Sequence, residues 1–214
     1  MTYLARNCPS LTSVDLRSLT TLGSSGFNYA FYGCTSLTRI DYTDNSSVRL
    51  DSLTTLVASG LAYAFQNCTS LAYVDLSRIT NANFGSVFSN AFKGCTSLVE
   101  VRIPNITAVG FWGMANTFQD CTSLKKVYLT KLSTVGIMSI QNTFNGCTAL
   151  ELVDFSEATA VPALFNVNAF ANTNATYKIV VPDALYETWI ATNNWKNENI
   201  VGHIVKASEY TEEE

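Results

Sequence analysis

Asn90-Ala91-Phe92-Lys93-Gly94-Cys95-Thr96-Ser97-Leu98-Val99-Glu100-Val101-Arg102-Ile103 decides the fold, because the chain repeats it. The six cysteines, Cys8, Cys34, Cys68, Cys95, Cys121 and Cys147, are spaced by 26, 34, 27, 26 and 26 residues. Three residues before five of them stands Phe31, Phe65, Phe92, Phe118 or Phe144. Three residues after them stand Leu11, Leu37, Leu71, Leu98, Leu124 and Leu150. Three further come Val14, Ile40, Val74, Val101, Val127 and Val153, and two beyond those Leu16, Tyr42, Leu76, Ile103, Leu129 and Phe155. Columns that recur together at one period belong to stacked units that bury a continuous core between them.

The composition agrees and excludes other classes. Apolar residues make up 47% of the 214, enough for a continuous core. Charged residues are only 14%, against about 25% in an ordinary domain. Thr, Ser and Asn take their place with 64 residues. The net charge of -4 argues against a nucleic-acid binder, which carries a basic patch. No apolar run reaches the ~18 residues that read as a membrane span. His203 is the one histidine, so a histidine metal site or a Ser/His/Asp triad must use it or not exist.

The register extends past the cysteines. Phe170, Ile179 and Val181 follow Phe144, Val153 and Phe155 by 26 residues, which predicts a seventh strand over 177–181. Asp183 is positioned to cap a helix over 183–192, with Leu185, Tyr186, Trp189 and Ile190 at helical spacing. Residues 200–205 read as a last strand, and the acidic tail 208–214 as frayed. The long second interval holds an insertion of eight residues within 43–51, TDNSSVRLD, read as a polar loop because Leu53-Thr54-Thr55-Leu56 matches Leu19-Thr20-Thr21-Leu22. The third unit has one extra residue within NANFGSVF. The array thus occupies 1–182 in about seven coils, the C-terminal cap 183–207 and the tail 208–214.

The unit Ala91-Phe92-x-x-Cys95-Thr96-Ser97-Leu98-x-x-Val101-x-Ile103 resembles the BspA-type leucine-rich repeat of bacterial cell-surface proteins. Ile179-Val180-Val181-Pro182-Asp183-Ala184-Leu185, followed by Asn194-Trp195, resembles the C-terminal end of such arrays. The resemblance runs from about residue 4 to 207. It implies a leucine-rich repeat solenoid: a right-handed, β-rich β-α superhelix with a parallel sheet, one strand per ~26-residue repeat. It also implies a cell-surface or secreted protein and a role in attachment. Ala5 stands where the other units carry phenylalanine, and no capping segment precedes the first unit. Met1 starts almost inside a repeat without a signal peptide, so the chain is read as a fragment or mature form.

Strand side chains alternate between faces. With Val101 and Ile103 inward, one outward column reads Ser13, Arg39, Tyr73, Glu100, Lys126, Leu152. The other reads Asp15, Asp41, Asp75, Arg102, Tyr128, Asp154. Tyr73, Glu100, Arg102, Lys126 and Tyr128 are the candidate ligand-binding residues, because they combine aromatic rings and an arginine on three consecutive coils. Asp15, Asp41 and Asp75 are the only candidate acid/base set, at ~5 Å spacing on adjacent strands, yet catalytic carboxylates need unlike environments and these repeat one. They read as a solvated or paired column, and no catalytic residue is assigned.

Six cysteines in an exported protein suggest disulfides, whereas identical positions on parallel coils aim their Cβ atoms the same way and suggest a buried ladder of free thiols. All six are then expected to be inaccessible. Zinc is disfavoured because no Cys-x-x-Cys spacing exists, and Asp41, Asp44, Asn45 and Asp51 lack the EF-hand pattern for calcium, so no metal or cofactor is assigned. Phe111-Trp112 reads as cover for the core edge, with a surface anchor as the alternative. The sequons at Asn45, Asn67, Asn105 and Asn174 carry little weight, and Asn67 sits inside the repeat core. The functional expectation is a non-catalytic binding or adhesion module for an extracellular or host protein, or a glycan. The alternative is a spacer segment of a longer array, with contact through the uncapped N-terminal coil.

Overall fold

The computed structural model describes residues 2–43, 48–164 and 167–211. Its strands are β1 (Val14–Asp15), β2 (Arg39–Asp41), β3 (Val48–Arg49), β4 (Tyr73–Asp75), β5 (Glu100–Arg102), β6 (Ala108–Val109), β7 (Lys126–Tyr128), β8 (Thr134–Val135), β9 (Leu152–Asp154), β10 (Lys178–Val181) and β11 (Ile204–Lys206). Nine of them form one parallel sheet in the order β1-β3-β2-β4-β5-β7-β9-β10-β11, and β6 and β8 pair on a second, narrow face. The inward column is Val14, Val48, Ile40, Val74, Val101, Val127, Val153 and Ile179.

Through Gly146 the side of each coil opposite the sheet is built from turns, and in the next coil Val167–Phe170 forms a 3-10 helix; the α-helices, α1 (Tyr186–Ala191) and α2 (Glu198–Val201), stand in the C-terminal cap. Left-handed residues recur every four positions: Ser25, Tyr29 and Gly33 in one coil, Ser59, Tyr63 and Asn67 in the next, Ser86, Asn90 and Gly94 in the third. A right-handed helix cannot pass through such residues, whereas a type II turn needs one at its third position. Amide groups therefore alternate between two partners. Ala30 N–H closes a turn onto Phe27 at 2.9 Å, and Phe31 N–H bonds across to Ala64 of the next coil at 2.9 Å. Both backbone directions are thus satisfied without a helix.

The phenylalanine column stacks face to face from Phe31 to Phe170, with centroids 5.1–5.9 Å apart. The thiols of Cys68, Cys95, Cys121 and Cys147 are buried, and each donates to the carbonyl of Phe31, Phe65, Phe92 or Phe118 one coil earlier, at 3.1–3.2 Å. Cys34 reaches Ala5 in the same way at 3.0 Å. The ladder has five buried members, not six: Cys8, on the first described coil, is exposed.

The insertion is more than a polar loop. Val48 lies between Val14 and Ile40 in the core column, and Arg49 lies between Asp15 and Asp41 in the outward one. The string Val48-Arg49-Leu50-Asp51-Ser52-Leu53-Thr54-Thr55-Leu56 matches Val14-Asp15-Leu16-Arg17-Ser18-Leu19-Thr20-Thr21-Leu22 at seven of nine positions, with Asp and Arg exchanged, so the match extends five residues before Leu53. That signal places the second strand of this unit. The extra residue of the third unit falls near Phe84, whose N–H turns back to Ala82 at 2.8 Å.

At the C-terminal end, Trp189 and Trp195 are fully buried and pack on Phe155. Asp183 does not cap the helix; its carboxylate accepts from Ser208 N–H at 3.0 Å instead. Residues 198–201 are helical, so the last strand starts at Ile204. The start of the tail is tied down: Ala207–Glu209 forms a 3-10 turn.

Candidate functional site

The outward face places all five candidate residues on three adjacent strands. Tyr73 pairs with Glu100 and Glu100 with Lys126; Arg102 pairs with Tyr128. Parallel neighbours lie ~4.8 Å apart, so the group spans about 10 Å. Each is partly exposed.

Within this group Arg102 is the hub. Its Nε donates to Glu100 Oε1 at 2.5 Å, and its guanidinium lies 4.5 Å from the centre of the Tyr128 ring. Burial alone would lower the Arg102 pKa, but the Glu100 hydrogen bond and charge raise it, so the guanidinium stays charged. Arg39 repeats the arrangement two strands away, donating to Asp41 at 2.8 Å while lying 4.5 Å from the Tyr73 ring. Burial pushes the Tyr73 hydroxyl pKa up, with the carboxylate of Asp75 adding to it. The two arginine–tyrosine pairs hold their rings in fixed orientations. Rigid aromatic faces beside a charged arginine form the kind of surface on which binding hot spots concentrate.

The aspartate column is broken between Asp15 and Asp41, while Asp75 follows Asp41 on the neighbouring strand. Arg49 separates Asp15 from Asp41, Arg17 bonds Asp15, and Arg49 pairs with Asp51 at 2.6 Å. Asp41 is buried, 2% exposed, and accepts from Thr43 N–H at 2.9 Å and Thr43 hydroxyl at 2.7 Å. Burial would raise its pKa, but these bonds and Arg39 outweigh it and hold it below the usual carboxylate range. A carboxylate so fixed is structural. His203 stacks on Tyr177 at 3.9 Å, with Nδ1 3.0 Å from the Tyr177 carbonyl. Among the described residues no three His, Cys, Asp or Glu side chains gather to hold a metal. Asp44 and Asn45 of the calcium reading lie outside the described residues.

Two outward positions depart from the sequence reading. Leu152 is buried, 2% exposed, on the strand between Lys126 and Lys178. Phe111 does not cover the core edge; it is 55% exposed, beside the equally exposed Ile137, while Trp112 is half-buried against it at 5.7 Å. Asn67 is half-buried and donates to Tyr32 hydroxyl at 3.2 Å.

A family model of the BspA type leucine-rich repeat region matches this chain in six copies, over residues 2–106 and 61–200. The chain belongs to the BspA-type leucine-rich repeat family. Repeat proteins of this BspA type are commonly surface-associated and typically non-catalytic. No curated protein matches the chain. Among the described residues of this BspA-type protein, no helix is long and apolar enough to cross a membrane.

Proposed function

We propose that this protein is a non-catalytic binding module of the cell surface, contacting an extracellular or host protein through Tyr73, Glu100, Arg102, Lys126 and Tyr128. The observation that supports this reading is the Arg102 hub, which fixes Glu100 and Tyr128 on neighbouring strands in a partly exposed patch. The patch also interrupts the aspartates of the outward column, so the sign of the potential changes locally and orients a partner. The experiment is a binding screen against immobilised extracellular-matrix proteins, followed by a Tyr73→Ala/Arg102→Ala/Tyr128→Ala variant. Loss of binding supports the patch. Unchanged affinity places the contact elsewhere.

A spacer role is the second reading. It is favoured by the first coil, which exposes Tyr3, Leu4 and Cys8 at the end of the stack. That surface suits contact with a further coil. A ligand that depends on Tyr3 and Leu4 instead of the sheet patch selects it.

A further inference from the structure

Three of the six large apolar side chains exposed among the described residues lie together on one edge of the solenoid: Phe84 at 38%, Phe111 at 55% and Ile137 at 59%. They stand on consecutive coils, beside β6 and β8. Gly110 N–H donates to the Phe84 carbonyl at 3.1 Å, and Trp112 N–H to the Ile137 carbonyl at 3.1 Å. Coils bonded in this way lie ~4.8 Å apart, so the three side chains fall within about 10 Å along the stack.

The edge is rigid. A Cβ on Gly136 would stand 2.4 Å from Phe111 N, and one on Gly110 would stand 2.6 Å from the Phe84 carbonyl carbon. The three backbones therefore touch, with no side chain between them. Trp112 meets the Phe111 ring edge to face at 5.7 Å and braces it. A platform already fixed before contact loses little entropy on binding.

Charge and size decide what fits. Segments 79–92, 103–119 and 132–150, which build this part of the three coils, contain no Asp, Glu, Lys, Arg or His. Asn81 and Thr134 are exposed on the narrow face, in register with Ala108, and supply a carboxamide and a hydroxyl. Three side chains exposed to this degree present about 300 Å² of apolar surface. One side of a stable protein interface takes about 800 Å², so a second copy of the chain fits poorly. A small apolar platform with neutral hydrogen-bonding groups beside it matches a sugar ring, whose C–H face packs on an aromatic ring and whose hydroxyls need partners.

We propose that this edge binds a neutral β-1,4-linked glycan, laid along the stack over Phe84, Phe111 and Ile137. The equatorial linkage makes such a chain a flat ribbon with apolar C–H faces. Each sugar advances it by about 5 Å, close to the ~4.8 Å step between coils. The edge is separate from Tyr73, Arg102 and Tyr128, so this assignment does not rest on the protein-binding reading.

The test titrates the full chain by calorimetry with two hexasaccharides, one of β-1,4-linked glucose and one of β-1,4-linked N-acetylglucosamine. The wild type binds at least one of them, with the same affinity at low and high salt, because a neutral ligand forms no ion pair. Phe111→Ala weakens binding about tenfold, the effect of truncating an aromatic anchor. Phe111→Tyr retains it, which separates loss of the ring from loss of the fold. The Tyr73→Ala/Arg102→Ala/Tyr128→Ala variant binds as the wild type does. Three results overturn the proposal: no binding of either hexasaccharide, affinity that falls with salt, or indifference to Phe111→Ala. Self-association in sedimentation that Phe111→Ala abolishes also overturns it and reassigns the edge to a second copy. Capture by phosphatidylcholine vesicles through Phe111 in place of the sugars overturns it and reassigns the edge to a lipid surface.

Discussion

Cys121 Sγ donates to the Phe92 carbonyl at 3.1 Å, and both groups are fully buried one coil apart. The bond links the two most regular columns of the array. Burial drives the Cys95 and Cys121 thiols far above their ordinary pKa, and Cys68 and Cys147 to about 12. Cys8 alone is open to solvent. A thiol reagent at neutral pH is expected to label one cysteine in the native protein and six after denaturation. Labelling of several at the native rate would contradict the ladder.

The same thiols predict alkaline instability. Their folded pKa values are raised, so their contribution is intact below the unfolded value near 9 and is lost as pH rises toward 12. In that window each buried thiol costs about 1.4 kcal/mol per pH unit. Urea melts between pH 8 and 11 should therefore steepen with pH, and Cys95→Ala should flatten the slope while lowering stability at pH 7. An unchanged slope in that variant would show that the thiol ionises equally in both states.

Gly94 requires its missing side chain. It has φ +72°, and a Cβ there would stand 2.4 Å from Asn67 Oδ1 of the previous coil. Left-handed positions before the cysteines run Asn7, Gly33, Asn67, Gly94, Asp120, Gly146, so each carboxamide or carboxylate overhangs a glycine. Gly94→Asn should destabilise by about 1–3 kcal/mol, although asparagine tolerates the backbone angle. Adding Asn67→Gly should recover much of the loss in thermal melts, because the clash and not φ is the cause. No recovery would place the cost in the backbone.

Phe118→Ala opens the middle of the ring stack and should cost about 3–5 kcal/mol. Deleting residues 43–50 should cost a similar amount, because it removes the buried Val48 and Leu50 and the strand that pairs β1 to β2. Urea melts of both variants compare them directly. A deletion cost below about 1 kcal/mol would show that β1 can pair with β2 unaided.

Asp41 supplies the acid limb. Its folded pKa is lowered, so its stabilisation is present above the unfolded value near 4 and disappears as pH falls through the folded one. Asp41→Asn should reduce stability at pH 7 by about 1–3 kcal/mol and shrink the loss on acidification. A variant whose stability still falls as steeply below pH 4 would assign that limb to other acids.

The sequence alone determined the coil and its stacking. Phenylalanine, cysteine, leucine and valine recur at one period because each unit can bury its apolar face only against identical neighbours, and that constraint is written in residue type. It also placed Tyr73, Glu100, Arg102, Lys126 and Tyr128 on one face, since strand alternation has a fixed period of two. Tertiary structure decided what depends on contacts between residues at no fixed spacing. Val48-Arg49-Leu50 carried a strand pattern, but only pairing showed it entering between β1 and β2 and parting Asp15 from Asp41. Likewise, the tail residues Tyr210 and Thr211 carry no periodic signal, and only the fold brings them to line one groove with Lys126 and Lys178. Periodic burial is a local property repeated many times, whereas a single strand insertion or a closing segment is one long-range contact that nothing else in the chain repeats.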